Sequence, residues 1–350
     1  MFKSGLFQVL FFLLLVSSCV SRKDSNDTPK VTTMAESEVV IAAKAFLASL
    51  NGLERQTAFI PFEEAERFNW NFVPMKRKGL TLQVMSNEQR QLAQQILQAC
   101  LSKEGLRKAE AIRGLEQVLT EIEGRAADND YRNSNLYYVA IFGEPSETEP
   151  WGWRFEGHHL SLNYTFADKT LAVTPFFMGT NPAEIKSGPQ KGKRVLAAEE
   201  DQGRALVSSL NTAQFEKALI SEKAYPEIIT RNDRKVSLEK YEGLPYAELT
   251  ATQQKMLIDL IQLYLNNAKP SVAQRYWQGV QEAGIEKLHF AWAGDIEKGQ
   301  KHYYRVHSPN LLIEYDNTQN GGNHVHAVCR NPNDDFGDDL LQQHYKAHKH

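Results

Sequence analysis

Ten histidines are spread unevenly along the 350 residues: His158 and His159 are adjacent, and the other eight fall between His289 and His350. Imidazole titrates nearest to neutral pH of all side chains and is the commonest side-chain metal ligand, so this clustering is where chemistry is sought first. His324 and His326 stand two apart in a strand-like run, which turns both rings to one side. Such a pair converges on one ion, and a third His with a carboxylate completes a three- or four-ligand set with an open position, as a catalytic metal site requires. The candidate ligands are therefore His159, His324 and His326, with Glu314 as a further ligand or as the general base. On a strand, His159, Ser161 and Asn163 would share one face, with His158, Leu160 and Leu162 on the other. His158, Asn163, Asn317, Gln319 and Asn323 form the outer set whose hydrogen bonds fix the imidazole tautomers. Zinc is the simplest ion for this set, and copper or iron use the same ligands. Without an ion, a His beside Glu314 is an acid–base pair near neutral pH. His302 and His307 read as loop or strand-surface residues. His344, His348 and His350 lie on a terminal amphipathic helix as a solvated face, with His344 the reserve ligand.

Two arginines, Arg154 and Arg305, occupy equivalent strand positions. A buried guanidinium needs an anion. It either clamps a carboxylate or phosphate of a ligand or pairs internally, with Glu156 or Glu314. Trp151, Trp153, Trp292, Tyr303 and Tyr304 lie around the same strands as core, or as the lining of a sugar or peptide groove. The acidic run Asn333 to Asp339 lacks the spacing and terminal Glu of a calcium-binding EF-hand and reads as a helix start with Asp as cap.

The elements that must carry these residues come in two sets. Ser86 and Thr250 each open an amphipathic helix with Gln three residues on, at Gln89 and Gln253, and apolar residues follow at spacings of three and four. A second helix follows in each half, Arg107 to Glu123 and Ser271 to Ala283. Strand-rich blocks come next: Leu136 to Gly143 then Trp153 to Phe166, and Ile285 to Gly294 then His302 to Asp316, joined by polar stretches. Arg154 aligns with Arg305, Leu160 with Leu311 and Tyr164 with Tyr315. The expected architecture is α+β: a duplicated helix-helix-hairpin unit with pseudo-two-fold packing, its antiparallel strands covered by helices. The repeats cover about 80–170 and 245–330 of a single domain at 36–350, with a helical insert at 171–243.

Residues 1–18 read as a signal peptide, with Lys3 before an apolar run at Leu6 to Val16 too short to span a bilayer comfortably. Val16-Ser17-Ser18-Cys19 resembles a bacterial lipobox, which makes Cys19 the lipidated mature terminus and residues 19–35 a polar tether. The expected location is the bacterial cell envelope, facing the periplasm or on the cell surface, with membrane contact through the N-terminal lipid only. A net charge of −3 from 40 basic and 43 acidic side chains argues against a nucleic-acid-binding surface. Three cysteines make no disulfide framework. Cys100 and Cys329 either pair or stay as two buried thiols. The chain has no G-x-S-x-G, G-x-G-x-x-G, Walker loop, H-E-x-x-H or C-x-x-C motif.

Glu156-Gly157-His158-His159-Leu160-Ser161-Leu162-Asn163, Phe290-Ala291-Trp292-Ala293-Gly294, Tyr303-Tyr304-Arg305, Glu314-Tyr315-Asp316-Asn317-Thr318-Gln319-Asn320, Asn323-His324-Val325-His326 and Asp334-Asp335-Phe336-Gly337 together resemble a bacterial family known as domain of unknown function 3500. The resemblance runs from about Phe59 to the C-terminus, with Cys329 where the family pattern has Trp. It implies no particular activity or cofactor. The residues themselves point to a metal-dependent enzyme, most simply a hydrolase, acting on a small-molecule, sugar or peptide ligand. The alternatives are a copper or iron oxidoreductase, a lipid-anchored ligand-binding protein without turnover, and a structural envelope protein.

Overall fold

The helices start where side chains can satisfy their first N–H groups. In the N-terminal half they are α1 (Glu38–Ala48), α2 (Gly52–Ala58), α3 (Asn87–Cys100) and α4 (Lys103–Ile122). Asn51 and Ser86 cap α2 and α3 in reciprocal capping boxes with Glu54 and Gln89. The Gln89 amide then donates onward to the Ser49 carbonyl at 3.2 Å and to Glu54 at 2.8 Å, tying the start of α3 to the α1–α2 corner. The C-terminal half uses α5 (Ala197–Ser208), α6 (Thr212–Ala218), α7 (Ala251–Leu265) and α8 (Pro270–Gly284). Asn211 and Thr250 cap α6 and α7 through Gln214 and Gln253. Gln253 donates to the Ser209 carbonyl at 2.8 Å and to Gln214 at 3.0 Å. A last helix, α9 (Asp338–Ala347), follows; the Asp334 carboxylate accepts from the Leu340 N–H at 3.0 Å.

The computed structural model describes residues 37–126, 129, 131–238 and 240–348. The expected signal peptide, the expected lipidation site Cys19 and the expected tether fall outside them, as does His350. Residues Glu36–His350 form one compact unit. None of the described helices is long and apolar enough to cross a membrane.

The strands are β1 (Phe59–Ile60), β2 (Leu80–Thr81), β3 (Tyr138–Phe142), β4 (Trp151–Gly157), β5 (Leu160–Ala167), β6 (Thr170–Ala172) and β7 (Phe176–Thr180), then β8 (Leu219–Ser221), β9 (Leu244–Pro245), β10 (His289–Gly294), β11 (His302–Ser308), β12 (Leu311–Asp316) and β13 (Val325–Arg330). They make one sheet in the order β1-β3-β4-β5-β7-β13-β12-β11-β10-β8, with β2, β6 and β9 alongside β3, β5 and β10. It is mostly antiparallel, with parallel pairs at β1–β3 and β8–β10. The fold is thus mixed α/β around one large sheet. Two runs expected as long strands are instead hairpins. Trp153 to Phe166 folds back at His158-His159, and His302 to Asp316 at Pro309-Asn310. Uninterrupted strands of that length are rare, and Gly, Pro and Asn break them.

Strand alternation divides the sheet chemically. Trp153, Phe155, Leu160, Leu162 and Tyr164, with Ile313, Tyr315, Ala327 and Cys329, join the helices in one large apolar core. Cys100 and Cys329 are buried free thiols. The opposite face buries Arg154, Glu156, Ser161, Asn163, Arg305, Glu314, Asp316, His326 and Arg330. The segments 65–77 and 224–234 lie over it, sealed by a small cluster of Trp70, Phe72, Phe177, Ile228, Val328 and Phe336. A buried polar face must be hydrogen-bonded throughout, and this is the face on which the histidines converge.

Gln89→Ala and Gln253→Ala each remove the N3 half of a capping box and leave the carbonyl of Ser49 or Ser209 without its donor. Each should lower the free energy of unfolding by about 1–3 kcal/mol, measured by urea denaturation. A loss in only one of the two variants would show that the two corners are not equivalent.

Candidate metal centre

His159 reaches the site from a turn rather than a strand. His158 and His159 connect β4 to β5, closed by the Gly157–Leu160 pair, and His159 takes a left-handed φ of 61°. Its place is held by two backbone hydrogen bonds. The His159 N–H donates to Phe72 O at 2.9 Å, and its carbonyl accepts from Gly179 N at 2.8 Å. His324 and His326 come from the start of β13, which lies against β7 with His326 opposite Gly179. His159 and His326 are buried and His324 is half-buried. Phe72 and Phe177 pack on the His326 ring at centroid distances of 4.9 and 5.5 Å.

The three rings meet through their Nε2 atoms. His324 Nε2 stands 2.7 Å from His159 Nε2 and 3.1 Å from His326 Nε2, and the three ligand atoms lie within 4.8 Å of one another. Behind His326, Nδ1 lies 2.7 and 2.8 Å from the two oxygens of Glu227. That carboxylate keeps the proton on Nδ1 and turns the Nε2 lone pair toward the other rings, the carboxylate–histidine arrangement that orients metal ligands. Burial, reinforced by the neighbouring imidazoles, holds His159 well below the ordinary value and His324 at about 3. Both rings are therefore neutral at pH 7. A neutral imidazole nitrogen offers either one proton or one lone pair, so mutual hydrogen bonds leave facing lone pairs in this trio. One cation would satisfy all three. Ligand nitrogens about 2.0–2.1 Å from a tetrahedral ion lie about 3.3 Å apart; the 3.1 Å pair is near that spacing and the 2.7 Å pair would have to open by about 0.6 Å, so the donor set fits the group with a small ring adjustment.

The other residues singled out in the sequence take different positions. Glu314 is not in the imidazole group. Its carboxylate accepts from Ile229 N at 2.6 Å, Thr230 N at 3.2 Å, Tyr303 Oη at 2.8 Å and the Thr230 hydroxyl. It thereby fixes the segment that delivers Glu227. Arg154 pairs with Glu66 at 2.7 Å, lies 3.6 Å from Glu156 and donates to the carbonyls of Glu66 and Asn69, and Arg305 pairs with Glu242 at 2.6 Å. Both guanidinium groups are thus engaged within the protein. Glu156 accepts from Arg77, Asn71 N and Ser161. Asn163 donates to Ser161 Oγ and Pro175 O. Asn317 and Asn323 brace the loop before β13 through His302 N and Glu184 N. Gln319 reaches Glu227 at 3.4 Å. His158 stacks on His159 at 3.8 Å, and its Nδ1 meets Glu116 and Arg132. His302 and His307 are buried within β11 rather than at the surface.

Glu227 and Glu116 were not found by sequence reasoning: one sits in a loop without periodicity, the other on an otherwise ordinary helix. A third carboxyl, Asp316, lies opposite His326 on the neighbouring strand. Burial, with Glu227 and Glu314 nearby, raises it to about 7 against hydrogen bonds from Thr318.

A family model described as Protein of unknown function (DUF3500) matches residues 32–338. The chain belongs to this family. No curated protein and no solved structure matches it.

Two outcomes follow from this geometry. A Cβ at Gly179 would lie 2.7 Å from Val325 O and 3.1–3.2 Å from the rings of His159 and His326. Gly179→Ala should therefore cost about 1–3 kcal/mol by overpacking and weaken metal binding, read by thermal unfolding and metal titration. For Asp316, a carboxyl raised in the folded state contributes stability below about 3.8 that is lost as pH rises through about 7. Asp316→Asn should then gain melting temperature relative to the metal-free wild type between pH 5 and pH 8. A difference that does not change with pH would contradict this.

Proposed function

We propose that the protein is a metal-dependent enzyme, most simply a hydrolase, with His159, His324 and His326 as ligands of a zinc-type ion. The observation that carries this reading is the convergence of three Nε2 atoms with Glu227 behind His326. An ion held there supplies Lewis acidity and acidifies a coordinated water. Glu227 fixes the tautomer of His326, and Gln319 steadies Glu227. Asp316, poised near neutrality beside His326, is the carboxyl able to take up and return a proton at working pH. Glu314 acts through the 227–230 segment and is a positioning residue. The substrate is a small molecule, sugar or peptide of the cell envelope. There the protein is anchored by lipid at Cys19, which follows the signal peptide at 1–18 and opens the tether at 19–35.

The same reading includes an internal duplication. The matched capping corners of Gln89 and Gln253, and a strand order that runs from each edge inward to β7 and β13, support two copies packed about a pseudo-two-fold axis. In this account α5, α6 and β8 are the counterparts of α1, α2 and β1. The repeat then takes in most of what reads as an insert.

The test is elemental analysis of the protein truncated after Cys19, purified without a tag or nickel resin. Wild type should carry one more equivalent of metal than the folded His324→Ala/His326→Ala variant, and Glu227→Gln should weaken affinity about 10–100-fold. Equal metal content in both proteins, after reconstitution with zinc, would overturn the reading.

A further inference from the structure

The end of α9 meets the β5–β6 hairpin. Asp168 and Lys169 form its turn, both in the left-handed region with φ of 47° and 59°. The turn is held from outside, with Asp168 N donating to Thr148 O at 3.1 Å and Lys169 N to Glu147 O at 3.0 Å. His344 and His348 lie four residues apart at the end of α9, on the side that faces this turn. Their ring centroids are 4.7 Å apart. His344 Nδ1 lies 2.8 Å from one Asp168 oxygen and His348 Nε2 3.1 Å from the other. The three donor atoms all fall within 4.8 Å of one another.

We propose that Asp168, His344 and His348 form a second divalent-cation site, of zinc type, that fastens α9 to the sheet. Two imidazoles and one carboxylate are a recurrent donor set for such an ion. The His344 side chain is 1% exposed and so already fixed, whereas His348 and Asp168 are 48% and 35% exposed. An ion would therefore enter from the solvent side, past His348 and Asp168. The site joins residues 176 positions apart, so an ion there adds a cross-link between the chain end and the β5–β6 turn. It shares no residue with the buried imidazole group, and the two stand or fall separately.

The experiment is zinc titration of the untagged chain by calorimetry, with hydrogen exchange of α9 followed in parallel. Wild type should bind two equivalents. His348→Ala and Asp168→Asn should each lose one, or bind it at least 10-fold more weakly, and zinc should no longer slow exchange in α9. The His324→Ala/His326→Ala variant should keep the equivalent that protects α9. Unchanged stoichiometry and affinity in His348→Ala, or loss of all zinc in His324→Ala/His326→Ala, would overturn the proposal. A wild type whose only equivalent disappears in His348→Ala would uphold it and count against the buried centre.

Discussion

Glu314 is a buried carboxylate at the middle of the sheet, and the arrangement around the histidines depends on how it is satisfied. A carboxylate out of water must collect donors. Glu314 draws them from two consecutive backbone N–H groups, Ile229 and Thr230, and from two hydroxyls. Those backbone groups lie in an irregular segment with no ladder of its own. Holding them places Glu227 against His326. Glu156 does the equivalent work in the other half, binding Asn71 N and Arg77, and the next residue, Phe72, accepts from the His159 N–H and packs on His326. Two buried acids therefore hold the two covering segments, and each segment positions one imidazole.

This division of labour follows from the two faces of the sheet. The helix-covered face is apolar and held by area, which tolerates hydrophobic exchange at conserved volume. The other face is polar and held by directed bonds, where losing one partner strands another. Fixing imidazole rings in orientation takes directed bonds, and the second face supplies them. The imidazoles are fixed at three levels. Backbone hydrogen bonds set the turn at His159, aromatic packing sets the plane of His326, and Glu227 sets its tautomer.

Part of this was legible in the sequence. The pairing of His324 with His326 follows from strand periodicity alone, and the capping signatures at Ser86 and Thr250 follow from local chemistry. His159 was identified by composition but placed on a strand. The expected strand has no turn at His158-His159, but the faces assigned beyond it hold: Leu160 and Leu162 enter the apolar core, and Ser161 and Asn163 lie on the polar face with His326. The strand pattern puts Glu314 on the same side as the histidines, as a ligand or general base. What it binds depends on a segment about 85 residues earlier that no local rule brings there. Glu227 and Glu116 were invisible for the same reason. Their partners are distant in sequence, and neither lies in a motif. Arg154 and Arg305 fare better, since a buried guanidinium demands an internal anion: Arg154 lies 3.6 Å from the expected Glu156 and also pairs with Glu66, whereas Arg305 takes Glu242.

The central claim is that one ion sits among three imidazoles, and anomalous diffraction from crystals grown with zinc tests it most directly. The account predicts a peak about 2 Å from Nε2 of His159, His324 and His326 together, with Glu227 still on Nδ1 of His326. Zinc in the crystal with no peak there, and the three rings still packed against one another, would contradict it.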